Sequence, residues 1–285
     1  MPHLDSIGVK HHWFSVQGLG LHALEFLVPE LANGHPDRPP LLLLHGVTGH
    51  AWLWLEVATR LAPGQRVIAL DLRGHGQSQW SADLQYDSAQ HVLDLQGVVQ
   101  ALRLDRICLA GLSWGGLIAI AYAARNPSVV SRLAVIDVEA SFEEAAEAVP
   151  PRPYEFDSIA SLLDWECKAN PRAAESLIAR VAIESVRPAV DGYWVRKYDP
   201  FFLGCWPFRR DDCWSDLQRL ACPTLLVNAE NSFVRPSVMK AMADCAASGL
   251  LQTVPNCGHL VPLEAPEALS DLMHRFFEPA PAVAS

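Results

Sequence analysis

Cys108-Leu109-Ala110-Gly111-Leu112-Ser113-Trp114-Gly115-Gly116 is the stretch from which the rest of the chain can be read. The run from Asp105 to Ala110 predicts a strand, and the small and apolar residues from Leu117 to Ala124 predict a helix. The pentapeptide between them must turn the chain sharply. Gly111 and Gly115 carry no Cβ, so strand and helix can approach closely and Ser113 can take a strained backbone that lifts its Oγ out of the turn. The start of the helix then aims backbone N–H groups at charge building up beside that oxygen. A bare Gly-x-Ser-x-Gly is weak evidence; its place between strand and helix makes Ser113 a candidate nucleophile.

The chain has 285 residues, half of them apolar, and a formal net charge of −10. That length holds a large α/β domain, and without any basic run the balance excludes nucleic acid and anionic membrane surfaces as partners. Apolar stretches such as Leu41–Leu44 are far shorter than the ~20 residues that span a bilayer. Residues Met1 to His12 show no apolar secretion signal, which sets a cytoplasmic expectation. Seven scattered cysteines without a Cys-x-x-Cys pair suit reduced thiols rather than disulfides or zinc. Cys257 lies two residues before His259, but no elbow surrounds it as one surrounds Ser113.

Outward from the elbow, His12–Val16 and Leu21–Leu27 predict a hairpin across Gln17-Gly18-Leu19-Gly20, followed by a loop from Pro29 to Pro40. Leu41–Leu44 predicts a strand buried on both faces that ends at His45-Gly46. A helix over Trp52–Leu61, a strand over Val67–Leu70 and a helix over Ala89–Leu102 lead to the elbow. Beyond it come strands at Arg132–Ile136, Pro223–Asn228 and Leu250–Val254 and a helix at Pro266–Phe277. The alternation predicts an α/β fold with a doubly wound, mostly parallel sheet of about eight strands, whose ligands bind at the carboxyl ends of the strands. Residues 139–220 interrupt it, with a Pro-rich entry at Pro150, Pro151 and Pro153 and helices around Ser158–Lys168 and Pro171–Val186, the latter capped by Asn170-Pro171. This segment is expected to be a helical cap over a core formed by residues 1–138 and 221–285, with a frayed tail after Glu278.

A serine hydroxyl needs a base within hydrogen-bond reach and a third group that fixes the base's tautomer. His259 follows the last strand in Pro255-Asn256-Cys257-Gly258-His259 and fits the base. His45 and His75 are expected to shape the pocket instead. Two backbone N–H groups must converge on the oxyanion, and Val47 and Trp114 stand directly after a strand end and after the serine.

These residues together resemble the α/β-hydrolase superfamily over nearly the whole chain. The resemblance rests on His45-Gly46, Asp71-Leu72-Arg73-Gly74-His75-Gly76, the Ser113 elbow and Gly258-His259. It implies Ser113 as nucleophile, His259 as base and residues 139–220 as cap, and it says little about substrate. The acid departs from the usual pattern. Most relatives place an aspartate after the strand that here reads Thr224–Ala229, where this chain has Glu230-Asn231-Ser232-Phe233. Asp137, at the end of the strand after the elbow helix, is the favoured acid. Neighbouring strands are ~4.8 Å apart, so a carboxylate from that end can reach the histidine. Glu230 is the alternative.

In the cap, Arg196 and Lys197 are candidates to meet a substrate carboxylate, although solvated charges explain them as well. Trp52, Trp54 and Trp114 suggest an apolar acyl pocket, or plain core. The expected protein is a serine hydrolase for a carboxylic ester or related small acyl compound. It needs no cofactor or metal, and the sequence leaves a homodimer open. Lactones, amides, enamides and C–C bonds use the same machinery. Dehalogenation would want a carboxylate where Ser113 stands. A ligand-binding protein on the same scaffold is the rival from another class, kept alive by Asn231.

Overall fold

The computed structural model describes residues 8–27, 38–142 and 152–278. The loop from Pro29, the start of the cap at Pro150 and Pro151, the first seven residues and the tail after Glu278 lie outside them.

Two long antiparallel strands, β1 (Gly8–Val16) and β2 (Leu19–Leu27), open the sheet. Gln17 and Gly18 turn between them with φ of 51° and 79°, the left-handed pair that matches strand twist in a two-residue hairpin. The turn is therefore two residues shorter than the sequence suggests. The central strands β3 (Leu41–Leu44), β4 (Val67–Asp71), β5 (Ile107–Leu112), β6 (Val130–Ile136) and β10 (Thr224–Ala229) are largely sealed on both faces, which is why they read as unbroken apolar runs. With β11 (Gly249–Val254) they complete an eight-stranded sheet in the order β1-β2-β4-β3-β5-β6-β10-β11, parallel from β4 to β11.

The chain winds one way from β3 to β4 through α1 (Leu55–Leu61), then crosses back through α2 (Ser88–Ala101) to β5 on the other side of β3. The order therefore reverses between β3 and β5, and their carboxyl ends open the crevice where ligands of such sheets bind. The predicted helix over Trp52–Leu61 begins as a 3₁₀ turn, Ala51–Trp54. Helix α3 (Trp114–Arg125) follows the elbow, and α6 (Trp214–Gln218), α7 (Pro236–Cys245), α8 (Val261–Glu264) and α9 (Pro266–Phe277) complete the layers on the sheet.

The insertion is more than a pair of helices. Helices α4 (Ile159–Ala169) and α5 (Glu175–Glu184) pack with a small antiparallel sheet of β7 (Glu155–Phe156), β8 (Val186–Pro188) and β9 (Trp194–Arg196), in the order β7-β9-β8, around Phe156, Leu162, Ala182 and Val186. Strands of two or three residues are too short to carry an alternation, so the sequence reads them as loop. Asn170 closes α4 by donating from Nδ2 to the Glu166 carbonyl instead of opening the next helix, which starts at Glu175. The ends of the insertion meet where Ser141 bridges Asp212 and the Cys213 N–H donates to the Ala140 carbonyl; α6 beyond them packs on α3 and α7 of the core. The insertion is fastened to the loop after β4 by the Asp199 N–H on the Gly74 carbonyl and by Tyr86, whose hydroxyl donates to Asp199 Oδ2 at 2.5 Å.

Candidate active site

Ser113 ends β5 with φ 55° and ψ −127°, a conformation rarely taken by a residue with a side chain. The elbow is held from two sides. The Ser113 N–H donates to the Ile136 carbonyl of β6 at 2.9 Å. A Cβ on Gly115 would lie 2.5 Å from the Leu44 carbonyl oxygen and 2.6 Å from that of His45, so only glycine lets α3 start against the end of β3. Val47 and Trp114 thus flank Ser113, and among the described residues neither N–H donates to an intramolecular acceptor.

Asp137 follows β6 directly, with φ 50°, fully buried. Its Oδ2 accepts from His259 Nδ1 at 2.7 Å and from Ser232 Oγ at 2.5 Å; its Oδ1 accepts from the Ala229 N–H at 2.9 Å. Three donors thus converge on one buried carboxylate. His259, partly exposed, keeps Nε2 unbonded among the described residues, and its ring lies 4.6 Å from that of Phe233. Since Ser113 hangs on the residue before Asp137, the hydroxyl, imidazole and carboxylate gather at adjoining strand ends.

Glu230 points elsewhere: it is exposed, and its Oε2 accepts the Asn256 N–H at 2.7 Å. Asn231 is not the residue that stands at the carboxylate from this loop; its N–H donates to the Cys257 carbonyl, and Ser232, one residue later, reaches Asp137. Neither Ser232 nor Phe233 stood out in the sequence, where only the spacing after β10 could have marked them.

The two histidines expected to shape the pocket, His45 and His75, have no lone pair to offer. Burial, more than any charge, lowers the pKa of His45 and His75, the latter to about 3, and both are neutral. His45 Nδ1 donates to the Gly46 carbonyl and Nε2 accepts the Leu72 N–H; His75 Nδ1 donates to the Arg73 carbonyl and Nε2 accepts the Thr48 N–H. Both brace the loops after β3 and β4. Asp71 ties the same loops: burial would raise its pKa, but the His22 hydrogen bond and neighbouring charges bring it down to about 2. Its oxygens accept from His22 Nδ1 and the N–H groups of Ala51 and Gln77.

The tryptophans do not converge on Ser113. Trp54 is fully buried, and Trp52 sits beside the rings of Phe26 and His11. Trp114 turns its ring into the core against His91 and Phe208, with Nε1 donating to Ser88 Oγ at 2.7 Å. Arg196 is 3% exposed, and its Nη1 donates to Glu166 Oε1 at 2.6 Å and to Ser185 Oγ at 3.0 Å, so it lies inside the insertion and is not a solvated charge. Lys197 lines a cleft of about 350 Å³ with Gly76, Gln77, Trp80 and Arg187, at the seam of the insertion and the loop after β4, and lies 3.7 Å from Glu184. Cys257 is buried with its thiol pushed up to about 12, chiefly by burial, which leaves it no nucleophilic character at neutral pH.

No helix among the described residues is long and apolar enough to cross a membrane. Curated relatives include an esterase of Mycobacterium tuberculosis, Rv0045c, 29% identical over 83% of this chain and 82% of its own length. Another is (E)-2-((N-methylformamido)methylene)succinate hydrolase of Acinetobacter baylyi, 30% identical over 86% of this chain and 92% of its own. Among solved structures, an E-2-(acetamidomethylene)succinate hydrolase superposes with a TM-score of 0.83 at 20% identity, covering 95% of this chain and all of that one, a likeness of fold. Residues 39–266 match the alpha/beta hydrolase fold, and the chain belongs to that family.

Proposed function

We propose that this protein is a serine hydrolase that cleaves a carboxylic ester or related acyl bond of a small molecule through an acyl-enzyme. The observation that carries this reading is His259: its Nδ1–H is held by the buried Asp137 carboxylate at 2.7 Å, which leaves the Nε2 lone pair for the Ser113 hydroxyl. Ser113 Oγ attacks the carbonyl carbon as His259 takes its proton, and Asp137 stabilises the resulting imidazolium. The N–H groups of Val47 and Trp114 take the oxyanion, His259 returns the proton to the leaving group, and water activated by the same histidine releases the acid.

Asp137 behind His259, in place of a residue from the loop at Asn231, supports an active enzyme over a lapsed, ligand-binding scaffold. Cleavage of an enamide or C–C bond by the same groups is the second reading, favoured by the activity in the name of the Acinetobacter relative. The test is turnover of 4-nitrophenyl butyrate by the wild type and by Ser113→Ala and His259→Ala. The reading expects wild-type hydrolysis and a loss of at least about 10³-fold in each variant; equal rates in all three would refute it.

A further inference from the structure

Two guanidinium groups inside the cap share one indole ring. Arg152 Cζ lies 5.9 Å and Arg196 Cζ 5.4 Å from the centroid of Trp165. The carboxylate beside this pair is Glu166, and it is committed to Arg196, with its second oxygen accepting from Asn170 Nδ2 at 3.2 Å. Arg152 is partly buried, and among the described residues it makes no hydrogen bond or ion pair. A guanidinium does not shed its proton, so a withdrawn and uncompensated one is costly until an anion joins it. Burial accordingly lowers its pKa, with Glu166 acting against that and Arg196 adding to it.

Two further polar groups there lack partners. Among the described residues the Tyr198 hydroxyl, on a residue 3% exposed, has none, and neither has Arg196 Nη2. The Tyr198 ring stands 6.5 Å from the His75 ring, and His75 stands 6.2 Å from Trp114, the residue after the candidate nucleophile. The cluster thus reaches, through His75, the Trp114 indole beneath the elbow, and Lys197, between Arg196 and Tyr198 in the sequence, lines the seam cleft with Arg187 and Trp80 in a chain that is otherwise strongly acidic.

We propose that the cap holds a carboxylate subsite, with the Arg152 guanidinium and the Tyr198 hydroxyl as donors, and that the substrate is an ester bearing a free carboxylate. Arg196, clamped by Glu166, holds Trp165 and Phe156 in place behind them. This deepens the ester-hydrolase reading and rests on it.

The test compares kcat/KM within two matched pairs. A carboxylate on the acyl side is read from 4-nitrophenyl hydrogen glutarate against 4-nitrophenyl valerate; one on the leaving group is read from 4-carboxyphenyl valerate against 4-(methoxycarbonyl)phenyl valerate. The wild type should prefer the carboxylated member of at least one pair by about tenfold or more, the size of a charge-assisted hydrogen bond. In Arg152→Gln that ratio should fall to about one, in Tyr198→Phe it should fall partway, and Arg152→Lys should keep part of it. No preference in the wild type, or Arg152→Gln lowering both members of a pair equally, would overturn the subsite while leaving the ester reading intact. If no ester is turned over, the ester reading fails on its own, and the subsite is judged by glutarate binding to the Ser113→Ala protein in a thermal-shift titration. A stabilisation that Arg152→Gln abolishes supports it, and no stabilisation overturns it.

Discussion

Replacing Asp137 with asparagine changes one atom, and the structure says which way the new amide must face. Asp137 Oδ1 accepts the Ala229 N–H at 2.9 Å, a backbone donor that cannot turn away, so the asparagine carbonyl oxygen must stay there. The NH₂ then takes the place of Oδ2, where Ser232 Oγ and His259 Nδ1 both donate. Ser232 can rotate its hydroxyl, but His259 must become the acceptor at Nδ1 and carry its proton on Nε2, towards Ser113. The base is then occupied, and its cation loses the buried charge that stabilises it. Wrong-tautomer variants of this kind lose ~10⁴ in kcat, about 5.5 kcal/mol of transition-state stabilisation. The assay is steady-state hydrolysis of 4-nitrophenyl butyrate by Asp137→Asn, with Glu230→Gln as control, because Glu230 only accepts the Asn256 N–H. The control should fall less than about threefold. Adding Ser232→Asp to Asp137→Asn puts a carboxylate on the other loop that reaches the same place and should recover at least about tenfold. A single variant within about tenfold of wild type would refute the reasoning.

Other outcomes follow from the packing and the buried charges. Gly115→Ala would press a Cβ to 2.5 Å from the Leu44 carbonyl oxygen and 2.6 Å from that of His45, neither of which can yield. Urea unfolding should show a loss of roughly 3 kcal/mol or more, and a change below about 1 kcal/mol would mean that the elbow is looser than described. Asp211 accepts from Ser88 Oγ, which in turn accepts from Trp114 Nε1, and burial raises its carboxyl pKa to about 6. A carboxyl raised in the folded state binds protons that the unfolded chain has released, so the fold loses stability as pH rises from about 4 to 6 and does not regain it above. Asp211→Asn should therefore raise the melting temperature at pH 8, by an amount equivalent to roughly 1–2 kcal/mol after solvent screening, and leave it unchanged near pH 4. A destabilised variant at pH 8 would contradict this.

The central sheet and the elbow were legible because their physics is local. Leu41–Leu44 can only be a strand sealed on both faces, and glycines at 111 and 115 can only serve a close crossing of strand and helix. What the sequence hid depends on contacts between distant segments. Ser232 is an ordinary loop serine until β6 and β10 lie side by side and bring it to a carboxylate 95 residues away. Arg196 reads as a surface charge, because its partner Glu166 is 30 residues earlier on α4. Helix α7 was missed although Pro236 stands at its start, because only Met239, Met242 and Ala243 are buried and so short an apolar stripe is hard to tell from a loop.

The claim on which the rest stands is that Ser113 is the nucleophile, activated by His259. Reaction with a fluorophosphonate, followed by mass measurement of the intact protein and its peptides, addresses it most directly. The account predicts one adduct per chain, on the peptide carrying Ser113, with labelling lost in Ser113→Ala and slowed by about 10³-fold or more in His259→Ala. An unlabelled wild type, or an adduct on any other residue, would contradict it.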